Sequence, residues 1–174
     1  CKLDESYRLR WKQIRFDGST TKMILIVGIP AGIQAMAITF SNLFVQYHIN
    51  GLGVISLAAF TASFKVELFI YLPILSIGQA ATTFTAQNVG AKSFCRVHKG
   101  TRTALLVGVG LAVVLSVLTL IFAWPMFRVF TADTAVIEAG VHIAFITFPF
   151  YFVYVFLEVL GSVIRGAGKA IPPM

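Results

Sequence analysis

Residues 53–91 read GVISLAAFTASFKVELFIYLPILSIGQAATTFTAQNVGA. The run is longer and more apolar than a helix in a soluble core requires, and Lys65 and Glu67 stand near its middle with Pro73 just beyond. A charge at a bilayer centre costs about 2.5 to 3.5 kcal/mol on insertion scales, so such residues face a bundle interior, a water-filled cavity or a partner. Lys65 and Glu67 are two positions apart, which on a helix turns them roughly 200° from one another, so they cannot share a site by adjacency. Tyr71, one turn after Glu67, shares its face. This places Glu67 in a cavity and Lys65 at an interhelical contact or snorkelling toward the outer interface, with the reverse order open.

The whole chain has the character of this stretch. It is 57% hydrophobic and 12% charged, with a mean hydropathy of +0.85, which indicates an integral membrane chain. The net charge of +7 does not suggest nucleic acid, because the basic residues sit between hydrophobic runs and not along a groove-binding surface. Cys1 and Cys95 form no CxxC pair, so neither a disulfide framework nor a structural metal is indicated. With Cys1 at its start and Pro172, Pro173 and Met174 at its end, the chain reads as a fragment of a longer protein.

Four apolar runs emerge, at about 23–46, 53–87, 103–127 and 136–164, after a basic segment over 1–22. The first would extend about 36 Å as a helix, enough to cross a hydrocarbon core of roughly 30 Å. The second is long enough to require tilt, a kink at Pro73 or an interfacial extension. The fold class is therefore all-α, a polytopic transmembrane helical bundle. Of the 14 Lys and Arg residues, six precede the first run, four lie between the second and third and two follow the fourth; Arg128 lies on the opposite side and Lys65 within a run. That asymmetry places both termini and the 90–102 loop in the cytoplasm, in the inner (plasma) membrane, with Tyr47 and Trp124 in an outer aromatic belt.

Polar residues within the runs carry the functional reading. Thr147, Tyr151, Tyr154, Glu158, Ser162 and Arg165 recur at steps of three or four and share one helical face. Gln34, Ser41, Asn42 and Gln46 make a looser stripe on the first helix, and Gln79, Thr83 and Gln87 step by four late in the second. The third run has almost no polar residues and is expected to be peripheral and lipid-facing. Intramembrane amides and hydroxyls more often glue helices together than bind ligands, whereas a carboxylate such as Glu67 or Glu158 is a functional candidate. Gly28 and Gly32 form a GxxxG that reads as a close-packing site beside Pro30. His48, His98 and His142 read as solvated connector residues. No nucleophile–base constellation can be assembled from inward positions, and RGAGK at 165–169 departs from a phosphate-binding loop at Val163 and Ala170, so the chain is not expected to be an enzyme and no cofactor is expected.

IPAGIQ at 29–34, SN at 41–42, IN-x-x-G at 49–53, GQAATTFTAQNVGA at 78–91 and RGAGKAIPPM at 165–174 together resemble the multidrug and toxic compound extrusion (MATE) family. The resemblance runs from about Lys22 to Met174. It implies twelve helices in two lobes, of which this chain would supply the first four of the C-terminal lobe, preceded by the end of an interlobe linker. It further implies a secondary antiporter that exports cationic amphipathic drugs in exchange for Na+ or H+, completed by an N-terminal lobe and the remaining C-lobe helices. Carried over by position, Glu67, Glu158, Asn42 and Gln34 would bind substrate or ion, with a transient Na+ at Glu67 or Glu158. Tyr151 and Tyr154 would supply aromatic and hydroxyl contacts, and Lys65 would serve as charge partner. Some members carry a coupling carboxylate on the first helix of this lobe, where this chain has no acid. A lipid-linked precursor flippase of the same superfamily and a non-transporting membrane scaffold are the alternatives.

Overall fold

The computed structural model describes residues 18–168; residues 1–17 and 169–174, including most of the expected basic linker, Lys169 and the IPPM tail, lie outside the described residues. Among these residues the chain is helical throughout: α1 (Gly18–Asn50), α2 (Val54–Gly90), α3 (Phe94–Ile121), α4 (Ala123–Phe130), α5 (Thr134–Thr147), a 3-10 turn (Phe148–Phe150) and α6 (Tyr151–Gly166). Four segments are long and apolar enough to cross a membrane: Ile24–Asn50, Val54–Gly90, Phe94–Ile121 and Thr134–Gly166. The chain is a multi-pass, all-α membrane bundle.

At the centre lies α2, which packs against α3, α5 and α6, while α3 also packs on α6. Its buried positions, Ala59, Ala62, Ser63, Val66, Ile70, Ile74, Gly78, Ala81 and Thr85, advance by threes and fours and form one stripe. Most of these side chains are small. In lipid, helices gain little from withdrawing apolar surface from their surroundings, so association depends on close van der Waals approach and interhelical hydrogen bonds. The helix runs unbroken through Pro73, and its 37 residues span about 55 Å, well beyond the hydrocarbon thickness.

Two expectations are corrected here. The third span is not merely peripheral: α3 buries Gly108, Ala112, Ser116 and Thr119 against its neighbours, a small-residue stripe that was hidden in the sequence by the surrounding Leu and Val. It also starts at Phe94, so Arg96, Lys99 and Arg102 lie on helix and the connector shrinks to a turn around Lys92, whose φ is +54°. The GxxxG of α1 has no packing partner among the described residues: nothing lies near the Cβ positions of Gly28 or Gly32. Almost all of α1 is exposed, and it meets the bundle through α2.

The fourth span is two helices. Pro149 lacks a backbone N–H and cannot continue the ladder, and the chain tightens into the 3-10 turn Phe148–Phe150 between α5 and α6. The Phe148 carbonyl is nevertheless satisfied, accepting from the Tyr151 N–H and from Ser116 Oγ of α3 at 3.0 Å. A hydroxyl from a neighbouring helix thus uses the second lone pair of a carbonyl at the turn and ties α3 to the fourth span.

At the other end of α5, Asp133 caps the helix by accepting from the Ala135 N–H at 2.9 Å, and the fully buried Phe127 ring of α4 lies directly against Gly140. Leucine at Gly140 should therefore destabilise the parent protein by about 1 to 3 kcal/mol. Leucine at Gly110, where nothing lies within 4 Å, should be near neutral. Thermal unfolding of the two detergent-solubilised variants, followed by size-exclusion chromatography, checks the contrast.

Candidate functional site

The interface of α2 and α6 carries a polar seam. On α6, positions 151, 154, 158, 162 and 165 fall on one face, and the side chains of Tyr154, Glu158, Ser162 and Arg165 form a connected chain. Tyr154 donates to Glu158 Oε2 at 3.3 Å, and Ser162 and Arg165 donate to Glu158 Oε1 at 3.1 and 3.0 Å. Arg165 also donates to Ser162 Oγ at 2.8 Å. All of these donors stand on the same helix as Glu158, at offsets of −4, +4 and +7, so α6 solvates its own carboxylate.

The contribution of α2 at this level is space. A Cβ at Gly78 would lie 2.7 Å from Glu158 Oε1 and 2.9 Å from Ser162 Oγ, distances that no side chain could occupy without displacing the carboxylate. One turn on, Thr82 Oγ1 bonds both the Gly78 and the Ser162 carbonyls at 3.1 Å, and Gly166 of α6 lies against the Thr82 backbone and the Thr85 side chain. Small residues on both helices bring the two backbones together here.

Further along the seam, Tyr71 of α2 lies beside Tyr154, their ring centroids 5.6 Å apart, and Tyr151 lies 6.2 Å from Tyr154. Glu67 of α2 stands one helical turn before Tyr71, at the end of the seam close to Tyr151. Three tyrosines thus lie between two carboxylates. The two acids differ in their partners: Glu158 is paired with Arg165, and among the described residues this is the one ion pair, so Glu67 has no cation paired with it.

The structure puts Tyr151, Tyr154 and Glu158 on one face of α6, as their helical spacing suggested, and Glu67 on α2 at the end of the seam close to Tyr151. It places Lys65 elsewhere: exposed, with its ammonium 5.6 Å from the Phe130 ring centroid of α4, a cation–π contact in place of an acid. Arg165, which sequence spacing put on the same face, is the cation that Glu158 takes. Gln34 and Asn42 stand on α1, away from the seam. Thr147, expected on the Glu158 face, is exposed on α5 and bonds the Ile143 carbonyl of its own helix, because the turn at Phe148–Phe150 interrupts the periodicity. Gly78 was missed, although the steps from Glu67 through Tyr71 and Ile74 to Gly78 mark it as facing the same way. Among the described residues no group of His, Cys, Asp and Glu could hold a metal ion.

The MatE family model matches residues 30–174, spanning all of the seam. The chain belongs to the MatE family. Curated relatives agree: it is 22% identical over 162 residues to the probable multidrug resistance protein YoeA of Bacillus subtilis, covering 93% of this chain and 35% of that protein. It is 25% identical over 170 residues to the probable multidrug resistance protein NorM of Thermotoga maritima (98% and 37%), and 28% identical over 150 residues to the probable multidrug resistance protein YpnP of B. subtilis (86% and 34%). The chain thus spans about a third of the length of these relatives, 35% and 37% for the first two.

Within this MatE chain the ion pair is partly withdrawn from solvent, Glu158 being 14% and Arg165 31% exposed. Replacing Arg165 by Gln leaves the carboxylate without its cation, and stability of the parent protein should fall by about 1 to 3 kcal/mol. Adding Glu158→Gln should recover part of that loss. A double-mutant cycle on thermal unfolding measures the coupling, and strictly additive losses would refute it.

Proposed function

We propose that this chain forms part of a membrane antiporter that exports cationic amphipathic drugs in exchange for Na+ or H+, and that the α2–α6 seam supplies acidic groups to its cargo and ion site. The observation that carries this reading is the seam itself: two intramembrane carboxylates with three tyrosines between them, and an excess of acid over base once Arg165 is paired. Aromatic faces beside an unpaired carboxylate suit a flat organic cation. The names of the MatE relatives support multidrug resistance as the physiological setting.

In this proposal Glu67 is the exchanging group. Among the described residues it has no cation paired with it, so protonation or Na+ binding there cancels a charge that would otherwise hold the cargo, and the cargo leaves. Glu158, neutralised by Arg165, keeps α6 positioned and acts as the second candidate. The chain would be the first four spans of the C-terminal lobe, in the inner membrane with its basic ends cytoplasmic, and would complete its cavity with the other lobe and the remaining helices. Flipping of a lipid-linked pyrophosphate would require free cations in the seam, and Arg165 is already engaged there.

Dye efflux by the full-length parent in everted vesicles tests the proposal, under an imposed Na+ gradient and then an imposed H+ gradient. Efflux should follow one of the two. Glu67→Gln should abolish gradient-driven efflux, a loss of at least about tenfold, at unchanged expression. Wild-type efflux from both Glu67→Gln and Glu158→Gln would overturn the assignment.

A further inference from the structure

A second cavity lies outside the seam, where α2 and α3 diverge near their shared turn. It is an open groove of about 520 Å³ with walls that include Ile77 and Phe84 of α2, Val107 of α3 and Val163 of α6, and with Arg96 and Lys99 at its rim. The two cations fall on the groove face because α3 is already helical from Phe94, which puts 96, 99, 103 and 107 on one side of the helix. The threonines beside them present methyl groups, since Thr101 and Thr103 bond the Val97 and Lys99 carbonyls of their own helix at 2.8 and 3.0 Å. Phe84 lies over Gly100, where any Cβ would collide with its ring, so the groove floor is apolar directly below the charges.

Neither cation has an acidic partner among the described residues, where the ion pair is Arg165–Glu158, and no Asp or Glu occurs in the sequence between Glu67 and Asp133. The run from Lys99 to Val107 extends about 12 Å along the helix, a charged mouth above an apolar wall at the depth of a headgroup and the start of its acyl chain. A cationic drug would be repelled at this rim. We propose that this groove is a binding site for one anionic phospholipid, its phosphate between Arg96 and Lys99 and an acyl chain along Ile77, Phe84 and Val107. The site is independent of the transport seam, because its charge has the opposite sign and its walls share no carboxylate with it.

Basic pockets between transmembrane helices take anionic headgroups in this manner, each cation near the membrane surface contributing about 1 kcal/mol. Native mass spectrometry of the purified full-length parent, titrated separately with phosphatidylglycerol and phosphatidylcholine, tests the proposal. The wild type should retain phosphatidylglycerol preferentially. Arg96→Gln combined with Lys99→Gln should weaken that lipid by about 30-fold and leave phosphatidylcholine unchanged. Arg102→Gln, whose side chain does not line the groove, should have no effect. Ala80→Phe, which fills the groove and keeps both charges, should weaken both lipids. Should the double variant fail to fold, Lys99→Gln alone at the exposed rim should weaken phosphatidylglycerol by about fivefold. Undiminished phosphatidylglycerol retention in the charge variants or in Ala80→Phe, or an equal loss in Arg102→Gln, would overturn the proposal.

Discussion

The contact between Gly78 and the Glu158 carboxylate sets the rest of this bundle. A carboxylate in the membrane must be solvated by protein, and here that work is done along one helix: Tyr154, Ser162 and Arg165 all reach Glu158 from α6 itself. What the neighbouring helix must do is stay out of the way while remaining in contact. Gly78 meets both requirements, because its bare Cα lets Glu158 Oε1 and Ser162 Oγ occupy the space where a Cβ would stand. The close approach that follows lets Thr82 bond across to the Ser162 carbonyl, and farther along the same interface Tyr71 lies beside Tyr154.

This arrangement differs from the packing of a water-soluble core. The buried stripes of α2 and α3 are made largely of Ala, Gly, Ser and Thr, and the large exposed side chains are Leu, Ile, Val and Phe. In a bilayer that inversion is expected, since lipid tails accommodate bulky aliphatic groups and helices associate where their backbones can approach. Large buried rings, Phe127 and Phe148, appear where α4 and the 3-10 turn depart from straight helix packing.

Much of the membrane architecture was legible in the sequence because it follows from hydropathy and length, and the four spans are there. The α6 face was legible too, since Tyr151, Tyr154, Glu158, Ser162 and Arg165 repeat with the period of a helix. What was not legible depends on neighbours. The role of Ser116 as a donor to the Phe148 carbonyl exists only because two distant segments meet, and a lone serine in a Leu- and Val-rich run gives no sign of it. The break at Pro149 could be suspected from the residue alone, yet Pro73 sits within an unbroken helix. Lys65 looked like a partner for acid by chemistry, and tertiary placement gave it the Phe130 ring. Gly78 carried a periodic signal that becomes meaningful once the carboxylate opposite is known.

The turn at Phe148–Phe150 also has a mechanical meaning. The Phe148 carbonyl accepts from Tyr151 N–H and from Ser116 Oγ of α3, so α3 is fastened to the fourth span at the bend itself. A change in the angle between the two rods, α5 and α6, would therefore pull on α3 as well as on the turn. Because Glu158 and Arg165 are paired on the same rod, α6 carries them as a neutral pair, and what the bend passes on to α3 is mechanical rather than electrical.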